Sequence, residues 1–179
     1  MRTPSMTGLR RSEACGLRWA DIDLDAATLT VRQSVQLVGG CIVVGAVKTA
    51  RSRRRVDLDA GTVAMLRAHR RSQASERLIV GAGWRDHDLV FTAPDGQPLN
   101  PDTISQWLER VVRRSSLPRI RLHDLRHTHA THLLAAGVNV KIVSERLGHA
   151  STSFTLDTYG HVMPGQEATA AAAVAALVD

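Results

Sequence analysis

The segment Leu147-Gly148-His149-Ala150-Ser151-Thr152-Ser153-Phe154-Thr155-Leu156-Asp157-Thr158-Tyr159 carries the only tyrosine of the chain, placed ten residues after a histidine. Asn139 reads as the cap of a helix over 140–147, Gly148 as its C-terminal stop, and a further helix leads up to Tyr159. Working outward, residues 122–136 form a helix ended by Gly137, and Pro101 opens one over 101–117 that Pro118 stops. Apolar spacing at Val63 and Leu66 gives a helix over 62–78 ended by Gly81-Ala82-Gly83, and 7–19 reads as a short helix.

Between these helices lies a β-rich stretch. Residues 28–35 alternate in places, Gly39-Gly40 makes a turn, 41–44 return, and a second loop over 48–52 leads into 53–58. The expectation is a three-stranded antiparallel meander, with one more short strand over 89–91. The fold class is therefore mainly α with a small three-stranded antiparallel β-sheet. The alanine-rich stretch over 167–178 has high helix propensity, and no internal repeat or linker divides the chain.

Composition narrows the function. A chain of 179 residues with 44% hydrophobic content can bury one substantial core. No apolar run approaches the ~20 residues of a membrane span, and residues 1–6 do not resemble a signal peptide, so no membrane partner and a cytoplasmic location are expected. Cys15 and Cys41 are isolated, which predicts reduced thiols and no zinc site. The formal charge of +6 favours a polyanion as partner. Only Lys48 and Lys141 among the 23 basic residues are lysines, and arginine's planar fork suits phosphate. With 3% aromatics, base stacking on single strands is disfavoured and backbone binding of double-stranded DNA fits better.

Three short segments carry the chemistry: Thr7-Gly8-Leu9-Arg10-Arg11-Ser12-Glu13, His123-Asp124-Leu125-Arg126-His127, and the one around His149 and Tyr159. His123 and Arg126 share a helix face, so one imidazole and one guanidinium can meet the same phosphate. Glu13, one turn after Arg10, orients it. Lys48 at the tip of a hairpin connection can reach a DNA groove and protonate a leaving alkoxide. His127, His129 and His132 invite a metal reading, but no cysteine pair or glutamate completes a site, so no metal is expected. Tyr159 is the candidate nucleophile. A phenol with a pKa near ~10 is a far better leaving group than a sugar hydroxyl, so a phosphotyrosyl ester can be reopened by such a hydroxyl without a nucleotide cofactor. Its activation needs a base, for which His123 is the candidate, or a cationic field from Arg10 and Arg126.

With Lys48-Thr49 on the hairpin and Leu147-Gly148-His149 added, these motifs resemble the catalytic domain of the tyrosine recombinases, close to integrases of phages and integrative elements. The resemblance covers 7–165, so the catalytic domain is taken as 1–165 and 166–179 as a C-terminal helix that packs on its own domain or docks on a neighbouring protomer. It implies that Arg10 and Arg126 clamp the scissile phosphate and that His123 accepts the proton of Tyr159 or bonds the phosphate. Lys48 would protonate the 5′ leaving oxygen, His149 would donate to a phosphate oxygen, Glu13 would support the cluster, and Tyr159 would form the 3′-phosphotyrosyl link without a metal or other cofactor. Arg11, Thr49, Arg51, Arg53, Arg54 and Arg121 are the expected DNA contacts. Members of that family act as four protomers on two duplexes and carry an N-terminal core-binding domain. Arg10 stands almost at the start here, so the expectation is a catalytic-domain fragment lacking its first helix and that domain. Site-specific integration or excision is the main expectation. A non-catalytic DNA-binding remnant, relaxation in the manner of a type IB topoisomerase, and a defective fragment without function are the alternatives.

Overall fold

The structure, a computed structural model, describes residues 7–47, 52–116 and 118–162. It is mostly helical with two small antiparallel sheets. The helices are α1 (Arg11–Cys15), α2 (Ala60–Val80), α3 (Pro101–Arg113), α4 (Leu122–Ala135), α5 (Val140–Leu147) and α6 (Thr152–Tyr159). The strands are β1 (Ile22–Asp23), β2 (Thr28–Val31), β3 (Gln33–Val38), β4 (Cys41–Ala46) and β5 (Arg54–Asp57).

The later helices begin where their sequence signals lie, though α3 ends at Arg113, short of the stop expected at Pro118. Asn100, Asn139 and Ser151 each cap a helix by accepting a backbone N–H, and Pro101 fills the first position of α3, where no N–H is needed. The expected meander is corrected. β2 and β3 are separate strands divided at Arg32, and β2 pairs with β1 on one side and β5 on the other. β3 and β4 form their own hairpin, with Val35 opposite Val44 and Val38 opposite Cys41. Burial explains the division: β2 is buried along most of its length, whereas every residue of β4 is exposed. The first helix is also shorter than the expected span over 7–19; after α1 a 3-10 turn covers Trp19–Asp21. Residues 89–91 contribute only a bridge, Leu89 to Arg18.

Two hydrophobic clusters form the core. One joins Leu9, Ala14 and Leu17 to Leu29, Val31, Val56, Leu58, Leu66 and Val90 around the three-stranded sheet. The other joins Ala130, Leu134, Val143 and Leu147 to the ring of Tyr159, between α4, α5 and α6. The chain turns from α5 to α6 through Gly148, whose φ of 67° is left-handed. There the N–H of Gly148 reaches the Glu145 carbonyl and that of His149 reaches the Ser144 carbonyl, the paired closure of a glycine-ended helix.

A side chain at Gly148 would be strained by its φ, and its Cβ would lie 2.9 Å from an Arg54 guanidinium nitrogen. Gly137 shares the positive φ, at 79°, but a Cβ there meets nothing within 4 Å. Gly137→Ala should therefore cost about 1 kcal/mol and Gly148→Ala clearly more. Equal losses in urea denaturation would show that Arg54 does not crowd this turn.

Candidate active site for phosphoryl transfer to tyrosine

The polar site lies in the seam between the two clusters, and the C-terminal end of α5 organises it. Closure at Gly148 uses the carbonyls of Ser144 and Glu145, so the next three still need donors. Three arginines supply them. Arg54 Nε donates to the Arg146 carbonyl at 2.6 Å, an Arg126 terminal nitrogen to that of Leu147 at 2.6 Å, and an Arg10 terminal nitrogen to that of Gly148 at 3.0 Å. Cations are favoured at this end of a helix by its dipole.

Arg126 also donates to the Gly8 carbonyl at 2.5 Å, which ties the segment before α1 to α4 and α5. Gly8 has a φ of 68°, and a Cβ there would lie 2.8 Å from both His129 and Leu147, so the approach needs glycine. Arg10 precedes α1. Glu13 accepts from its backbone N–H at 2.8 Å and from its guanidinium at 2.9 Å. The same carboxylate receives the fork of Arg54, at 3.0 and 2.8 Å. Burial opposes ionisation of Glu13, but Arg54 and then Arg10 outweigh it and hold the carboxyl at about 2.

Arg10 and Arg54 thus share a single carboxylate, while Arg126, beside them, is held by backbone carbonyls alone, so three cations gather around one anion. Arg54 and Arg126 are buried, whereas the Arg10 side chain remains 40% exposed. The resulting excess of positive charge is felt by its members. Burial, then repulsion from Arg10, lowers the Arg126 pKa to about 10. Burial, then Arg126, Arg10 and Arg54, pushes His149 down to about 4, so its imidazole is neutral at ordinary pH. Its Nδ1 lies 2.8 Å from Thr155 Oγ1.

Tyr159 is buried, with its hydroxyl 2.6 Å from His127 Nδ1. Burial raises the phenol pKa and Arg126 acts in the opposite sense, so the phenol keeps its proton at rest. The expected partner was His123. That residue lies one turn earlier on α4, packed edge-on against the His127 ring at 4.4 Å and 87°, and among the described residues the hydroxyl bonds His127 instead. Burial, then His127 and Arg126, lower its pKa.

Arg10, Glu13, Arg126, His149 and Tyr159 are therefore brought together, with His123 at the edge. Lys48, Thr49 and Arg51 lie outside the described residues, as does the alanine-rich stretch over 167–178. Arg53 and Arg121 are exposed. Arg121 pairs with Asp124 at 3.1 Å, and Arg11 pairs with Asp102 at 2.7 Å. Arg54 is corrected: it is buried on Glu13 instead of facing outward to DNA. Among the described residues no group of three or more His, Cys, Asp or Glu side chains is arranged to hold a metal ion, and no helix is long and apolar enough to cross a membrane.

A model of the phage integrase family matches residues 4–165. The chain belongs to that family. It is 33% identical over 176 residues to a XerC-like tyrosine recombinase of Caldanaerobacter subterraneus subsp. tengcongensis, covering 92% of this chain and 45% of the relative. It is 35% identical over 163 residues to the ICEBs1 integrase of Bacillus subtilis, covering 90% and 44% respectively. The chain thus spans about half the length of the curated relatives it matches. Among solved structures, the Tn1549 transposon integrase in complex with circular intermediate DNA superposes with a TM-score of 0.76 at 22% identity, covering 97% of this chain and 57% of that one. The XerH site-specific recombinase bound to its palindromic difH substrate, a post-cleavage complex, gives 0.63 at 26%, covering 95% and 43%. These neighbours share the fold of a tyrosine recombinase catalytic domain.

For this phage integrase family chain, the sequence reading missed three roles. Arg54 follows Arg53 and precedes Arg55, and only the alternation of β5, which buries 54 and 56, separates it from them. His127 is four residues after His123, so a choice between them required the position of Tyr159. Thr155 lies one turn before Tyr159, and nothing in its spacing marks its hydroxyl as the partner of His149.

Since the Glu13 pKa falls from an ordinary 4.5 to about 2 on folding, its ionised form stabilises the protein fully above 4.5, and that contribution is lost as pH falls towards 2. Wild-type stability should drop across this window by a few kcal/mol. Glu13→Gln should be less stable at neutral pH, with a shallower slope between pH 4.5 and 2. Parallel slopes in acid denaturation would remove Glu13 as the ionised partner of Arg54.

Proposed function

We propose that this chain is the catalytic core of a site-specific DNA recombinase, which cuts and rejoins duplex DNA through a 3′-phosphotyrosyl intermediate during integration or excision of a mobile element. The observation that carries this reading is the excess positive charge of the arginine cluster, whose Arg126 acts on the Tyr159 phenol, itself 2.6 Å from an imidazole nitrogen. A guanidinium has five N–H donors, and each of these two uses a pair of side-chain hydrogen bonds within the protein. The remaining donors suit the non-bridging oxygens of a phosphodiester, where negative charge builds as a fifth oxygen approaches phosphorus.

In the proposed reaction the Tyr159 oxygen attacks phosphorus, its proton passes to His127 Nδ1, and the bond to the 5′ oxygen breaks. That oxygen takes a proton from Lys48. Arg10 and Arg126 hold the non-bridging oxygens and His149 donates to one of them. A 5′ hydroxyl then attacks the phosphotyrosine and releases Tyr159, so no external energy source is consumed. Glu13 holds Arg10 in place, with Arg54 as its internal counter-charge. Arg11, Thr49, Arg51, Arg53 and Arg121 are assigned to the DNA backbone. Relatives named integrase and tyrosine recombinase, and the DNA-bound XerH complex, support duplex DNA as substrate. Four protomers on two duplexes is the assembly this exchange requires, in the cytoplasm of a bacterial host.

The test is a pool of labelled nicked duplexes with randomised sequence, in which the cleaved fragment diffuses away and covalent protein–DNA adduct accumulates. Wild type should form adduct and Tyr159→Phe none, while the phenylalanine ring keeps the packing of the second core cluster. His127→Ala should slow adduct formation about a hundredfold. Adduct in Tyr159→Phe would overturn the reading. A His127→Ala variant as fast as wild type would return the proton-accepting role to His123. Retarded DNA without adduct would favour the binding remnant.

A further inference from the structure

We propose that Thr155 is a positioning residue for His149: its hydroxyl donates to Nδ1 and so holds the imidazole as the Nε2–H tautomer, which can donate to a phosphate oxygen. This rests on the recombinase reading for its purpose, though not for its geometry.

The geometry starts with an unusual helical threonine. Threonines in a helix tend to turn their hydroxyl onto the carbonyl one turn back, as Thr128 does on Asp124 at 2.9 Å and Thr158 on Phe154 at 2.8 Å. For Thr155 that carbonyl belongs to Ser151, which instead accepts the Ser144 hydroxyl at 3.1 Å. The Thr155 hydroxyl points the other way, onto His149 Nδ1 at 2.8 Å, and this is its one hydrogen bond among the described residues. Thr155 is fully buried, so water offers no substitute.

Two arrangements satisfy the distance. If Nδ1 carried the hydrogen, the threonine oxygen would accept it and the hydroxyl proton would be left buried with no acceptor. An unmade buried hydrogen bond shifts such an equilibrium about tenfold or more. If the hydroxyl donates, both atoms are satisfied and the ring hydrogen must sit on Nε2. The doubly protonated ring is suppressed separately, by burial and by Arg126, Arg10 and Arg54. The edge-on contact of Phe154, at 4.8 Å and 77°, fixes the ring plane. Nε2 has no protein partner among the described residues and is not sealed from solvent, which leaves it available to an incoming anion. The cap of α6 thus sets more than the helix start: by occupying the Ser151 carbonyl, Ser144 frees Thr155 for this task.

The experiment compares wild type, Thr155→Val and Thr155→Ser in the 179-residue chain. Long-range 1H–15N correlation of histidine-labelled protein reads the His149 tautomer directly, without DNA. The nicked-duplex pool reads adduct formation. Wild type and Thr155→Ser should show Nε2–H. Thr155→Val, equal in shape but without a hydroxyl, should show a mixed tautomer and form adduct about tenfold more slowly. The serine variant should recover most of the rate, which loss of methyl packing alone would not allow. An Nδ1–H signal in wild type, or a valine variant unchanged in both tautomer and rate, would overturn the proposal. If no variant forms adduct, the recombinase reading fails while the NMR comparison still decides the tautomer.

Discussion

Three consecutive carbonyls at the C-terminal end of α5 each take a hydrogen bond from a different arginine, and the rest of the site depends on that convergence. The arginines come from β5, from α4 and from the turn before α1, so no single element could place them. What gathers them is the partial negative charge of a helix end whose remaining carbonyls have already been closed by Gly148 and His149. The turn at Gly148 therefore has two effects: it directs the chain into α6 and Tyr159, and it leaves open the carbonyls that collect the cations.

Such a cluster would repel itself apart without Glu13. A lone buried carboxylate would be costly, as would a lone buried Arg54, but together they satisfy each other with a two-point fork. Arg10 shares the carboxylate from the exposed side, and Arg126 is held by carbonyls alone. This grading separates the arginines. Arg54 is neutralised and structural, whereas Arg10 and Arg126 retain charge that the protein does not compensate. Sequence position could not reveal the difference, because all three are arginines next to turns or other basic residues.

Most elements could be read along the chain. The signals at Pro101, Asn139, Gly137 and Gly148 are local, so helix ends over 101–147 were legible within a few residues. Strand pairing was less so. Residues 28–35 look like one strand, and they divide at Arg32: β2 is buried between two neighbours, whereas β3 is buried only at Ser34 and Val35 and pairs with the exposed β4. In the site, motifs with fixed spacing along one helix identified Arg126 and His123, and the lone tyrosine was conspicuous. The hydroxyl's partner was not, since His123 and His127 share a face of α4 and only the packing of α6 puts one of them nearer. Thr155 escaped for a similar reason: its hydroxyl differs from those of Thr128 and Thr158 only through a competing bond made by Ser144.

The protonation states follow from the same imbalance of charge. Positive potential from Arg126, Arg10 and Arg54 disfavours a second proton on His149, so that ring stays a neutral donor with one hydrogen to give. For Tyr159, burial favours the phenol over the phenolate, and the field of Arg126 offsets only part of it. The proposed nucleophile is therefore held uncharged at rest, with its hydroxyl 2.6 Å from His127 Nδ1. In the proposed reaction a phosphodiester supplies the negative charge that Glu13 leaves uncompensated, and its oxygens gain more charge as the phenol proton departs. On that proposal, stabilisation by Arg10 and Arg126 is greatest during attack, when charge on the phosphoryl oxygens peaks, and that difference from the resting state is what lowers a barrier.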